Sequence, residues 1–267
     1  MPQTTNFIKR SIFYVAVGLL AYAAFAEVKK GKPGSRRAAL RYDGKSVYRG
    51  IAKAYQAPFA WRNLEFVKAA AVLSGLTLIF LFDEQLSRWF IKQEEKALPV
   101  LKDFGWYYGS PENHYAINGG FYLFGLATNN VTVRKTGVLL ISSTIATGLF
   151  QTLTKILIGR ARPLRNEGKA SFKPFSRENS YYSFPSGHSI LSFTTAYAIG
   201  TQFRNPIFKL TMYLFGSIAP FSRLWAGAHW VTDAATSICI SIPVVNTIDV
   251  YLKDERNYPT GLDEEIN

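Results

Sequence analysis

The chain has 267 residues and a formal net charge of +13, from 31 Lys and Arg against 18 Asp and Glu. One domain with extensions is expected at this length. Such a charge balance often marks nucleic-acid binding, but no nucleic-acid motif is present and the aromatics fill apolar runs, so an anionic membrane surface or a phosphorylated lipid is the expected partner. The single cysteine, Cys239, excludes an intrachain disulfide and does not identify a redox compartment; its apolar neighbours predict a buried, inert thiol.

At the N-terminus, Lys9-Arg10 precede an apolar run from Ser11 to Ala26 that ends Ala24-Phe25-Ala26. Residues 1–26 read as a secretory signal cleaved near Ala26, with an uncleaved signal anchor as the alternative. The run is short for a span. Residues 27–63 are expected as a basic arm or flexible linker, with Gly31, Pro33, Gly34 and Ser35 among its cations. A helical domain over 64–250 and a polar, loosely ordered tail over 251–267 follow.

Apolar runs recur at Phe66–Phe82, Ile117–Ala127, Gly137–Ile158, Ile190–Phe203, Ile207–Phe221 and Val231–Ile248. Strand signals are few, so the domain is expected to be all-α. Gly, Ala, Ser and Thr inside the runs suit close helix packing. Asp83 to Lys96 reads as an amphipathic helix, with Trp89 and Phe90 either at a membrane interface or packed on the bundle. Trp106, Tyr107 and Tyr108 are expected as buried anchors, with a lipid entrance as the alternative. His114, near Gly109-Ser110-Pro111, is expected on a loop surface. The loop Gly159 to Phe184 carries Arg160, Arg165, Lys169, Lys173 and Arg177, which could steer acidic substrates.

Three polar stretches stand at the edges of these runs: Lys155 to Pro163, Pro185 to His188, and Ser222 to Asp233. They gather cations and two of the three histidines at helix ends, the composition of an anion site. Lys155 and Arg162 are seven apart, one face of a helix that Pro163 would stop. Pro185-Ser186-Gly187-His188 reads as a helix start, with free N–H groups, the positive dipole end and the Ser186 hydroxyl aimed at a ligand. Gly187 allows close approach of an oxyanion. His229 and Asp233 are i, i+4, so on a helix Asp233 would accept from one imidazole nitrogen and leave the other as a nucleophile. No metal-ligand spacing accompanies the histidines.

The pattern Lys155-x6-Arg162-Pro163, Pro185-Ser186-Gly187-His188, Ser222-Arg223-x5-His229-x3-Asp233 resembles the three-part signature of the type 2 phosphatidic acid phosphatase and vanadium haloperoxidase superfamily. The likeness covers roughly residues 64–250. It implies an all-α, six-helix core bundle whose motifs converge on one phosphate pocket; since no metal-ligand spacing is present, no metal and no other cofactor are expected. By that likeness His229 attacks phosphorus, oriented by Asp233, and His188 protonates the leaving oxygen. Lys155, Arg162, Ser186, Gly187 and Arg223 would bind the phosphoryl oxygens. Haloperoxidase relatives hold vanadate in the same constellation, so a vanadate-dependent haloperoxidase stays open beside a metal-independent lipid phosphatase acting through a phosphohistidine.

A membrane-embedded bundle would place all three motifs on one side, facing the periplasm, and Arg134-Lys135, Arg204 and Lys209 on the other. Several runs are shorter than a span needs, and mean hydropathy is only +0.02. A soluble periplasmic acid phosphatase is therefore the alternative. The substrate lipid and the oligomeric state stay open.

Overall fold

The computed structural model describes residues 36–254. The expected signal segment 1–26 lies outside the described residues, as does most of the expected tail. Within them the fold is all-α: nine α-helices and no named strand, with one isolated bridge between Arg160 and Phe172. The helices are α1 (Arg36–Gln56), α2 (Asn63–Leu81), α3 (Asp83–Gln93), α4 (Pro99–Tyr108), α5 (Pro111–Ala127), α6 (Val131–Ile158), α7 (Gly187–Thr201), α8 (Pro206–Trp225) and α9 (Val231–Lys253).

The starts are written in local chemistry. Prolines open α4, α5 and α8, where the missing N–H costs nothing. Asn130 Oδ1 caps α6 by accepting from Val133 N at 3.0 Å, and Asn205 Oδ1 caps α8 from Ile207 N at 2.8 Å.

Helix α7 lies at the centre, packed on α6, α8 and α9. Its interface is lined by small hydroxyl side chains, among them Thr194, whose Oγ1 donates to Ser241 Oγ of α9 at 2.8 Å. Such residues let helices approach closely while hydrogen-bonding across the contact. Tyr251 and Leu252, expected in the tail, continue α9 and are buried in the core. Cys239 in α9 is half-buried, not fully shielded as expected.

Residues 36–56, expected as a flexible arm, form α1 instead and pack on α6 and α9. The reason is a stripe. Ala39, Asp43, Ser46 and Gly50 recur at helical spacing and are buried, while Arg37, Arg41, Lys45 and Arg49 face outward. Asp43 is neutralised inside: Arg134 Nε lies at 3.1 Å and the Tyr122 hydroxyl donates at 2.8 Å.

Helices α2, α6 and α9 are long and apolar enough to cross a membrane. Helix α2 buries none of its residues and exposes Phe66, Leu73 and Leu78. A helix apolar all round and unburied by protein suits lipid contact. Helix α3 packs on α8 through Phe90, whose ring centroid is 6.0 Å from that of Phe221, and leaves Trp89 exposed.

His114 departs from its expected loop position. Pro111 starts α5, which turns His114 inward until it is fully buried, with its ring 5.0 Å from that of Tyr108. Of the aromatic trio, Tyr108 is the buried anchor, whereas Trp106 is 52% exposed.

Candidate active site

The three motifs meet at one end of the bundle. Lys155, in the last turn of α6, donates through Nζ to the Tyr182 carbonyl at 2.6 Å. The helix ends at Ile158, earlier than Pro163 implied, because Gly159 takes the left-handed conformation at φ 57 and its N–H returns to the Lys155 carbonyl at 3.0 Å. A Cβ there would also stand 1.9 Å from the Lys173 carbonyl oxygen. Arg162 therefore shares no helix face with Lys155; it sits in an irregular segment, its N–H donating to the Ser180 carbonyl at 2.8 Å.

Ser186 is the N-cap of α7. Its Oγ accepts from Ser189 N at 3.4 Å and from Ser189 Oγ at 2.8 Å, leaving its own hydroxyl hydrogen to donate. Gly187 is the first helical residue, and His188 stands in the first turn. Arg223 closes α8 with its side chain buried, and its Nη2 donates to Ser222 Oγ at 3.2 Å. The Nε groups of Arg162 and Arg223 are buried without a hydrogen-bond partner. A buried N–H of a charged group left so costs heavily unless an acceptor meets it.

His229 and Asp233 do not share a helix. His229 lies in the loop before α9, 3% exposed, and Asp233 is the third residue of that helix. The His229 Nδ1 bond goes to the Ser183 carbonyl at 2.7 Å, while Asp233 Oδ2 is farther, at 3.6 Å. The tautomer is still fixed: a carbonyl can only accept, so Nδ1 carries the proton and Nε2 keeps its lone pair.

Asp233 is in turn held on every side. It accepts from Trp230 N at 2.8 Å, Ser183 Oγ at 2.5 Å and Arg160 Nη1 at 2.6 Å. Arg160 also donates through Nη1 to Thr232 Oγ1 at 2.8 Å and through Nη2 to Asp83 Oδ2 at 2.9 Å. Asp83 closes the ring by accepting from Thr232 N at 3.0 Å and from its hydroxyl. Sequence reading missed Asp83, Ser183 and Thr232 as site supports. Asp83 lies 149 residues from Thr232, and no spacing joins them.

Arg160 was expected on the surface as a steering cation, yet it is 2% exposed. The rest of that loop is largely neutralised by its own acids. Arg165 pairs with Glu167 and Glu178, and Lys173 pairs with Glu178.

The electrostatics are those of an anion pocket. Burial pushes the His229 imidazole down to about 4, with Asp233 opposing the shift and Lys155 and Arg162 adding to it. Burial, then Arg223, His229, Lys155 and Arg162, push His188 down to about 3. Burial and then Arg162 lower Arg223 to about 10. Groups that suppress one another's positive charge in this way favour binding of an anion.

An all-helical bundle with cations, two imidazoles and a helix N-terminus at one pocket is suited to binding a phosphate-like oxyanion. Residues 136–255, which hold all three motifs, match the family model described as the PAP2 superfamily. A lipid A 1-phosphatase of Rhizobium johnstonii is 28% identical over 193 residues, covering 68% of this chain and 76% of the relative. A lipid A 1-phosphatase of Rhizobium etli is 32% identical over 38% of this chain and 44% of the relative. A lipid A 4'-phosphatase of Porphyromonas gingivalis is 24% identical over 49% of this chain and 57% of the relative. Among solved structures, Aquifex aeolicus LpxE aligns with a TM-score of 0.46 and 18% identity, over 61% of this chain and 94% of that one. The three curated relatives are phosphatases, and none of the three is the haloperoxidase that the signature alone left open.

Proposed function

We propose that the protein removes phosphate from a phosphorylated envelope lipid of the lipid A kind, without a metal ion, through a phosphohistidine on His229. The observation that carries this reading is the 2.7 Å bond between His229 Nδ1 and the Ser183 carbonyl. It leaves Nε2 unprotonated and aimed away from its support.

In the first step Nε2 attacks phosphorus, and the bond from phosphorus to the leaving oxygen breaks. His188 donates its proton to that oxygen. His188 is neutral in the free site, where cations surround it; a bound phosphate dianion offsets those cations and favours the imidazolium needed as the acid. In the second step His188 takes a proton from water, the water oxygen bonds to phosphorus, and the phosphorus–nitrogen bond breaks to release inorganic phosphate. Lys155, Arg162 and Arg223, with Ser186 and the Gly187 N–H, would hold the equatorial oxygens. Phosphoryl transfer needs mainly positioning and charge stabilisation, which three fixed cations and a helix N-terminus supply.

The three apolar helices support a place in the inner membrane. The pocket lies at the ends of α6 and α8 and the starts of α7 and α9, while Arg134, Lys135, Arg204 and Lys209 lie at the opposite ends. Positive residues stay cytoplasmic, so the pocket would face the periplasm.

The test is phosphate release from lipid A and from phosphatidate by the full chain in detergent with EDTA present. Release in EDTA, abolished in His229→Ala, is expected. Loss on chelation restored by a divalent ion would overturn the metal-free reading, and a phosphoenzyme trapped in His229→Ala would overturn the nucleophile.

A further inference from the structure

Helix α4 brings an aromatic side chain to the pocket from outside the segment that matches the family. It packs so closely that a Cβ on Gly105 would stand 2.4 Å from Ser222 Cβ, and one on Gly109 2.7 Å from His188 Cβ. That approach sets Trp106 between the two motifs. Its ring lies 4.1 Å from the Arg223 guanidinium carbon and 5.3 Å from the His188 ring. Trp106 thus touches both a proposed phosphate ligand and the proposed donor to the leaving oxygen.

Beside it opens a cavity of about 340 Å³, lined by Trp106 with Glu94, Lys102, Asp103, Ser222 and Arg223. Glu94 and Lys102 form an ion pair at 2.7 Å across its wall. An acyl chain would strip water from those charges and give nothing back. A hydroxylated ring would exchange that water for hydrogen bonds and lay its C–H face on the indole.

We infer that Trp106 is a specificity-determining platform for the leaving group, and that the adjoining cavity takes a pyranose rather than an acyl chain. This rests on the phosphatase reading only for which side of the phosphate the ring occupies. Acyl chains of a lipid substrate would run on toward the exposed apolar helices instead.

Binding separates the inference from the chemistry. In a His229→Ala background, N-acetylglucosamine 1-phosphate and inorganic phosphate are titrated by calorimetry with Trp106 intact, as Trp106→Ala and as Trp106→Tyr. Trp106→Ala is expected to weaken the sugar phosphate roughly tenfold or more and inorganic phosphate less than about twofold, with Trp106→Tyr recovering most of the sugar affinity. Equal losses for both ligands would mean that Trp106 only positions Arg223, and no loss for either would mean no platform; each overturns the inference. Tighter binding of dioctanoyl phosphatidate than of the sugar phosphate, sensitive to Trp106→Ala, would overturn the pyranose assignment. A wild-type protein that binds the sugar phosphate through Trp106 yet releases no phosphate from any ester would overturn the phosphatase reading and leave the platform standing.

Discussion

Arg160 Nη1 donates to Asp233 Oδ1 at 2.6 Å, and both side chains are shut off from solvent. The same guanidinium reaches Asp83, so one buried cation balances two buried carboxylates. Arg160→Ala would leave both acids uncompensated. The expected cost is about 3–5 kcal/mol of stability, read as a lowered thermal midpoint in detergent. Asp83→Asn keeps the shape and should cost less, while lowering kcat because Thr232 and Arg160 lose a shared anchor. A midpoint unchanged in Arg160→Ala would refute the pairing.

Asp233→Asn should lower the rate on the order of 10³–10⁴-fold, as losing the carboxylate behind a catalytic histidine does in hydrolases. Here the loss is not one of tautomer alone, since the Ser183 carbonyl still accepts from Nδ1. It comes from the missing negative charge as His229 becomes positive in the transition state. The variant should also unfold at lower temperature, because Arg160 loses a charged partner. Single-turnover phosphate release beside a melting curve separates the two effects.

His188→Ala should matter most for poor leaving groups. General acid help is typically ~10²–10⁴-fold and is needed when the leaving alkoxide is basic. A loss far larger on an alkyl phosphate than on p-nitrophenyl phosphate is expected. Equal losses would assign His188 to phosphate binding.

The pH dependence follows from burial. His229 titrates at about 4 in the fold, below its ordinary 6.5. The nucleophile must be neutral, so protonation of His229 should limit the reaction only near pH 4, below the limb that the phosphate substrate's own second ionisation, at about 6, puts on kcat/KM. Between 6.5 and 4 the unfolded chain binds the extra proton and the native one does not, so this group's contribution to stability is complete above 6.5 and drains away as pH falls to about 4. A His229 ring that titrates near 6.5 by NMR in the free protein would refute the buried setting.

Much of the candidate site could be read along the chain. Lys155, Arg162, Ser186, Gly187, His188, Arg223, His229 and Asp233 stand within a few residues of helix ends that Gly159, Asn205 and the apolar runs mark locally. Helix identity was legible too, because an apolar run is a property of consecutive residues. What lay beyond reach was every partnership between distant segments. Asp83 meets Thr232 across 149 residues, and Ser183 takes the His229 proton that i, i+4 spacing had promised to Asp233. His114 and Arg160 look like surface residues by type, and only packing turns them inward. Trp106 looks like one of three equivalent aromatics until Gly105 and Gly109 let α4 close on α7 and α8. The cations, the two histidines and the helices that carry them are local properties, visible residue by residue. Which groups support them emerges only on folding, because support depends on distance and burial, and neither is a function of spacing along the chain.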